Sequence, residues 1–184
     1  MSSGIYQVRG SRVTGRSQAQ IRASALHVRK TLQVDQILDL PVFTERLFRY
    51  GITVDVVEDH DPLFALAGVE ASCEVESATI YLTATTHAAV CSNNPRARFT
   101  ICHELGHLLM AHKKLLHRSD ASQPHRVFED SEWQADTWVA EFLMPLDEMH
   151  RLNLRRADEI QGQFGVSQLA ATNRAAYVQK KQLY

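Results

Sequence analysis

His103-Glu104-Leu105-Gly106-His107 places two imidazoles four residues apart around a glutamate. On a helix of 3.6 residues per turn, positions four apart stack on one face, so both rings can reach a single metal ion. The glutamate beside the first histidine then lies near an open coordination position, where it can take a proton from an attacking water. An accidental match of three specified positions among nine histidines has a probability of order one percent or less. Phe99, Cys102, Leu105, Leu108 and Leu109 supply an apolar face, so a helix is expected here with or without an ion. Just upstream, Asn94 can cap the free backbone donors and Pro95 fits the first helical position, which predicts a helix from there to about His112.

A catalytic zinc takes three protein ligands and keeps one position for water, so the motif calls for a third donor. Glu132 is the candidate, within Ser131-Glu132-Trp133-Gln134-Ala135-Asp136. Ser131 as cap, with Gln134 reaching back, predicts a helix to about Leu143, bounded by Pro145. Asp136 follows Glu132 by four residues and shares its face. There it can accept from the distal nitrogen of a metal-bound histidine and fix its tautomer. The competing acids are Glu129 and Asp130, in the presumed loop, and Glu141, off the shared face. Read without the upstream motif, Glu132 is a first-turn acid facing the helix dipole and Asp136 an exposed helical residue.

Outward from these helices, the chain of 184 residues is 45% hydrophobic and 22% charged, which suits one globular domain. No apolar stretch is long enough to span a bilayer and no secretory block opens the chain, so a cytoplasmic location is expected. Cys73, Cys91 and Cys102 are too scattered for a disulfide framework and are read as reduced thiols. Cys102 adjoins His103 but points about 100° away on a helix. Residues 1–30 carry six bases and no acid, whereas 31–150 carry eight bases against nineteen acids. The basic start is read as a solvated tail leading into a helix, in preference to a transit peptide or a nucleic-acid arm.

Residues 1–15 lack periodicity and are expected to be loose or only locally ordered. Ile21, Ala25, Val28 and Leu32 recur at helical spacing and predict a helix over 17–32. Val42, Leu47 and Tyr50 suggest a second helix that Gly51 closes. Alternation predicts a strand over 52–57, then a hairpin of 66–75 and 78–83 around Glu76 and Ser77. A polar loop is expected over 113–130. The last forty residues read as one or two short helices, with Phe164-Gly165-Val166-Ser167 as a turn and new cap.

Three segments in order resemble the ImmA/IrrE-type metallo-endopeptidases over roughly residues 15–175. They are Arg98-Phe99-Thr100-Ile101-Cys102-His103-Glu104-Leu105-Gly106-His107, Glu132-Trp133-Gln134-Ala135-Asp136, and Ala140-Glu141-Phe142-Leu143-Met144-Pro145. The resemblance implies an α+β, zincin-like (gluzincin-like) metallopeptidase domain. In it a small sheet packs on the HExxH helix, with helical N- and C-terminal parts. It implies His103, His107 and Glu132 as ligands of one Zn2+ per chain, Glu104 as catalytic base and Asp136 behind the ligands. The expected organisation is an arm over 1–15, the peptidase domain over 16–148 and a helical extension over 149–184. The family often has Glu where this chain has Gln134, and Phe and Ala where it has Trp138 and Val139; the last two alter how the interior packs and leave the chemistry unchanged.

The substrate class implied is a regulatory protein such as a helix-turn-helix repressor or an antitoxin, in mobile-element control or a stress response. Membrane association and direct nucleic-acid binding are not expected. The alternative is a non-proteolytic, zinc-containing regulatory or toxin-like protein that binds a protein partner or DNA. Residues 164–174, with Arg155, Arg156, Lys180 and Lys181 around them, would support it. Candidate donors to an oxyanion or to substrate are Tyr81, His112, His117 and His125, with His125 best placed. His112, five residues past His107, is expected to turn away from the metal face. The strand holding Ile80 is expected to offer a free edge to an extended peptide. Zinc is preferred over manganese or iron, although a His2Glu set suits other divalent ions.

Overall fold

A computed structural model gives the architecture, and it describes residues 8–34, 37–64, 69–112 and 124–181. The apolar stripe near the start forms helix α1 (Gln18–Thr31), whose cap Ser17 and Gln20 make a reciprocal capping box. Helix α2 (Leu40–Arg49) begins at Asp39, which accepts from the Val42 amide at 3.1 Å. Gly51, with φ of +76°, turns the chain out of α2 into the sheet.

Strands β1 (Thr53–Val57), β2 (Ala71–Glu74) and β3 (Thr79–Thr83) pair in the order β1-β3-β2. β1 runs parallel to β3 and β2 antiparallel to it. The expected hairpin is therefore present but shorter, and residues 66–68 of its first arm lie outside the described residues. The expected free edge at Ile80 is overturned: β3 is the central strand, and both its edges are hydrogen-bonded. Ala71 pairs with Leu82 and Cys73 with Ile80, so these four buried side chains share one face.

Helix α3 (Ala84–Cys91) follows β3 directly, capped by Thr83. No periodicity marks it, because its eight residues include only two buried ones. Helix α4 (Pro95–Leu109) starts where expected, with Asn94 accepting from Arg96 N at 2.8 Å. It lies on β2 and β3 and carries the HExxH segment. Helix α5 (Ser131–Leu143) packs against both α4 and α1. A Cβ on Gly106 of α4 would lie 3.2 Å from Trp138 of α5, so the two helices meet closely there. The Trp138 ring is fully buried and stacks on Phe142 at 4.8 Å.

The cap of α5 differs from expectation. Asp130 is the N-cap, accepting from Trp133 N at 2.8 Å, and Ser131 is the first helical residue. A carboxylate one position earlier takes the capping role, which frees the Ser131 hydroxyl to accept from Ser11 N at 3.0 Å. Among the described residues three helices, not one or two, follow α5: α6 (Leu146–Arg151), α7 (Ala157–Phe164) and α8 (Gln168–Lys180). Gly165, in the left-handed conformation, ends α7, and Ser167 caps α8.

Residues 8–16 run along the entry to α5. Arg12 bridges Asp130 in antiparallel fashion, Val13 N donates to Glu129 O at 2.8 Å and Arg16 N to Phe128 O at 3.1 Å. Among the described residues, no helix is long and apolar enough to cross a membrane.

Candidate metal centre

Two helices build the centre. α4 presents His103 and His107 with ring centroids 4.7 Å apart, and the first turn of α5 brings Glu132 to them. Glu132 Oε1 lies 3.3 Å from His107 Nε2, and Oε2 lies 3.7 Å from His103 Nε2. One donor atom from each of the three residues falls within 4.8 Å of the others. Tetrahedral donors around an ion at 2.0–2.2 Å sit about 3.4 Å from one another, so the carboxylate-to-imidazole gaps fit one ion. Two imidazoles and a carboxylate are also a donor set that divalent transition metals accept.

Glu104 is 8% exposed, and its Oε1 lies 3.7 Å from His103 Nδ1. The Phe99 ring stacks on His103 at 6.0 Å and covers one side of it. Asp136 shares the α5 face with Glu132, as expected from spacing. Its Oδ1 lies 3.3 Å from His103 Nε2, the nitrogen that also faces Glu132, and not beside the distal Nδ1. Arg9 forms an ion pair with its other oxygen. Burial works against a charge on His103, but Asp136, Glu104 and Glu132 prevail and raise it to about 9. Burial also opposes ionisation of Glu132, yet His107, His103 and Arg9 outweigh it and hold the carboxyl down to about 2.

The competing acids have other partners. Glu141 is buried and pairs with Arg174 at 3.0 Å. Glu129 accepts from Arg126 N at 3.0 Å and pairs with Arg12 at 3.0 Å. Asp130, fully buried, caps α5 and also accepts from Gly10 N at 2.8 Å and Arg9 N at 3.1 Å. Gly10 itself touches the centre's frame: a Cβ there would fall 2.7 Å from Glu132 N and 2.4 Å from Ser131 Oγ.

Of the other candidates, His125 stands against Asp130, with Nε2 and Oδ2 3.2 Å apart and 1% of its side chain exposed. Tyr81 reaches Glu74 at 3.4 Å, on the sheet face opposite Ile80 and Leu82. Neither belongs to the three-residue group, and His117 lies outside the described residues. For His112 the expectation is corrected. α4 stops at Leu109, Ala111 takes a φ of +54° and the reversed chain returns the ring to His107, with Nδ1 to Nδ1 at 3.0 Å. Its Nε2 meets Gln134 Oε1 at 3.0 Å. Burial, with smaller effects from His107 and Arg16 against a Gln134 hydrogen bond, takes His112 down to about 4. The geometry that recruits His112 had no sequence signal, because Ala111 occupies a conformation that glycine more often marks.

The three donors sit on two packed helices, of which α4 lies on the small mixed sheet. The family described as IrrE N-terminal-like domain, Peptidase_M78, matches residues 83–176, and the chain belongs to it. That span runs from the end of β3 into α8 and holds all three donors. No curated protein matches the chain.

Proposed function

We propose that the chain is a zinc-dependent endopeptidase, with His103, His107 and Glu132 as metal ligands and Glu104 as general base. The observation that carries this reading is the convergence of the three donors within 4.8 Å of one another from two separate helices. Zinc held there would polarise the scissile carbonyl and raise the acidity of water. Glu104 takes the proton of the attacking water and delivers it to the leaving amine. Glu132, ionised throughout the neutral range, offers its carboxylate without first losing a proton. Asp136, paired with Arg9, faces His103 Nε2 at 3.3 Å, so it lines the ion's position and does not set the ring's tautomer from behind.

The substrate proposed is a regulatory protein of the helix-turn-helix repressor or antitoxin class, a reading that rests on the family resemblance. Of the basic residues that a DNA-binding role would use, Arg156 is paired with Asp158. The test incubates the protein and its Glu104→Gln variant with a helix-turn-helix regulator encoded beside it, with and without chelator. The variant should bind zinc like the parent and cut about 10²–10⁴-fold more slowly. Chelator should stop the parent. Cleavage by Glu104→Gln at the parental rate would remove Glu104 from its role.

A further inference from the structure

We propose that Gln134 and His112 are positioning residues that hold a proton on His107 Nδ1, so that its Nε2 is the nitrogen presented to an ion beside Glu132. The inference rests on the metal-ligand reading of His107 and extends it to two residues whose spacing pointed to other roles. Gln134 is fully buried in α5, and all four of its hydrogen bonds are made. Its Nε2 donates to Thr14 O at 2.9 Å and to Phe128 O at 2.8 Å. A flipped amide would turn its oxygen onto two carbonyl oxygens, so the orientation is fixed. Oε1 must then accept, and it does so from Arg16 Nη1 at 2.9 Å, a group that can only donate. The second group on that oxygen is His112 Nε2 at 3.0 Å, which must therefore carry a proton.

A neutral imidazole has one donor and one acceptor, so His112 Nδ1 is the acceptor. A positive charge on the ring is opposed by its burial and by the Arg16 guanidinium on the shared oxygen. His112 Nδ1 lies 3.0 Å from His107 Nδ1, a gap that holds one proton, and that proton belongs to His107. His107 Nε2, 3.3 Å from Glu132, is then the nitrogen that would offer its lone pair to an ion held there, and in the metal-free protein it can instead carry a proton toward that carboxylate. The chain of donors thus runs from the carbonyls of Thr14 and Phe128, through Gln134 and His112, to a ligand nitrogen. Such outer partners set ligand orientation and basicity.

The test combines ring-nitrogen spectroscopy with metal affinity. Proton–nitrogen-15 correlation spectra of the full chain, metal-free and zinc-loaded, should show a proton on His107 Nδ1 and on His112 Nε2 and none on His112 Nδ1. A proton on His112 Nδ1, or a bare His107 Nδ1, overturns the relay. In chelator competition, His112→Phe and Gln134→Met should weaken zinc binding about 10–100-fold, and affinity unchanged in both also overturns it. Should either variant fail to fold, the spectra of the parent protein decide. If the parent binds no zinc, the metallopeptidase reading fails by itself, and the metal-free spectra still report on the relay.

Discussion

His103 and His112 both border His107, yet their surroundings drive them in opposite directions, to about 9 and about 4 from an ordinary 6.5. In the metal-free protein, stability should therefore fall on both sides of about pH 6.5. Below it, unfolded chains protonate His112 while the folded protein refuses the proton, so stability is lost as pH drops from 6.5 toward 4. Above it, the folded protein keeps the His103 proton that unfolded chains release, so stability is lost as pH rises from 6.5 through 9. Urea midpoints measured from pH 4 to 9 should trace this dome. His112→Phe should flatten the acid side and His103→Gln the alkaline side, whereas stability that climbs from pH 7 to 9 would contradict the scheme. The contrast also shows what spacing can reveal. His103, Glu104 and His107 were legible because one helix holds them, and Glu132 because a second helix starts in step. His112 was not, since its approach depends on where α4 ends, and Gln134 was read as a capping residue while its side chain serves the interior.

At the scale of elements, the entry to α5 is shaped by the segment over 8–16. Gly10→Ala should push a methyl against the Glu132 amide and the Ser131 hydroxyl, costing about 1–3 kcal/mol of stability and weakening metal binding. Gly162→Ala, in α7 with nothing within 4 Å of the new carbon, should instead add up to about 1 kcal/mol. Denaturant titration with zinc competition measures both, and Gly10→Ala behaving like the parent would detach the segment from the centre. Helices with strong caps, α1 and α2, were legible within about two residues, and α4 at its start, while its end at Leu109 falls short of the expected His112. α3 was missed, having too few buried positions to show a period. The place of β3 in the sheet was hidden as well, because β1 pairs with it directly and in parallel although β2 lies between them in sequence, a pairing that local pattern does not encode.

For the whole molecule, the helices after Pro145 are joined to α5 by charge in the interior. Arg174 of α8, 4% exposed, pairs with Glu141 of α5 and donates to Met144 O at 2.8 Å. Arg174→Met should cost up to about 3–5 kcal/mol by leaving a buried carboxylate with only the more distant Arg22, at 3.6 Å. Arg174→Met with Glu141→Met should recover much of that, and equal losses in the single and double variants would argue against the pair.

The contact of Gly10 with Asp130 spans 120 positions of chain, and this has a bearing on synthesis. A nascent polypeptide leaving the ribosome displays His103 and His107 before it can offer Glu132, while the segment that will line the entry to that residue's helix has waited since the outset. Tight ion capture should therefore come late in translation, and a stalled chain ending short of α5 should hold zinc only loosely.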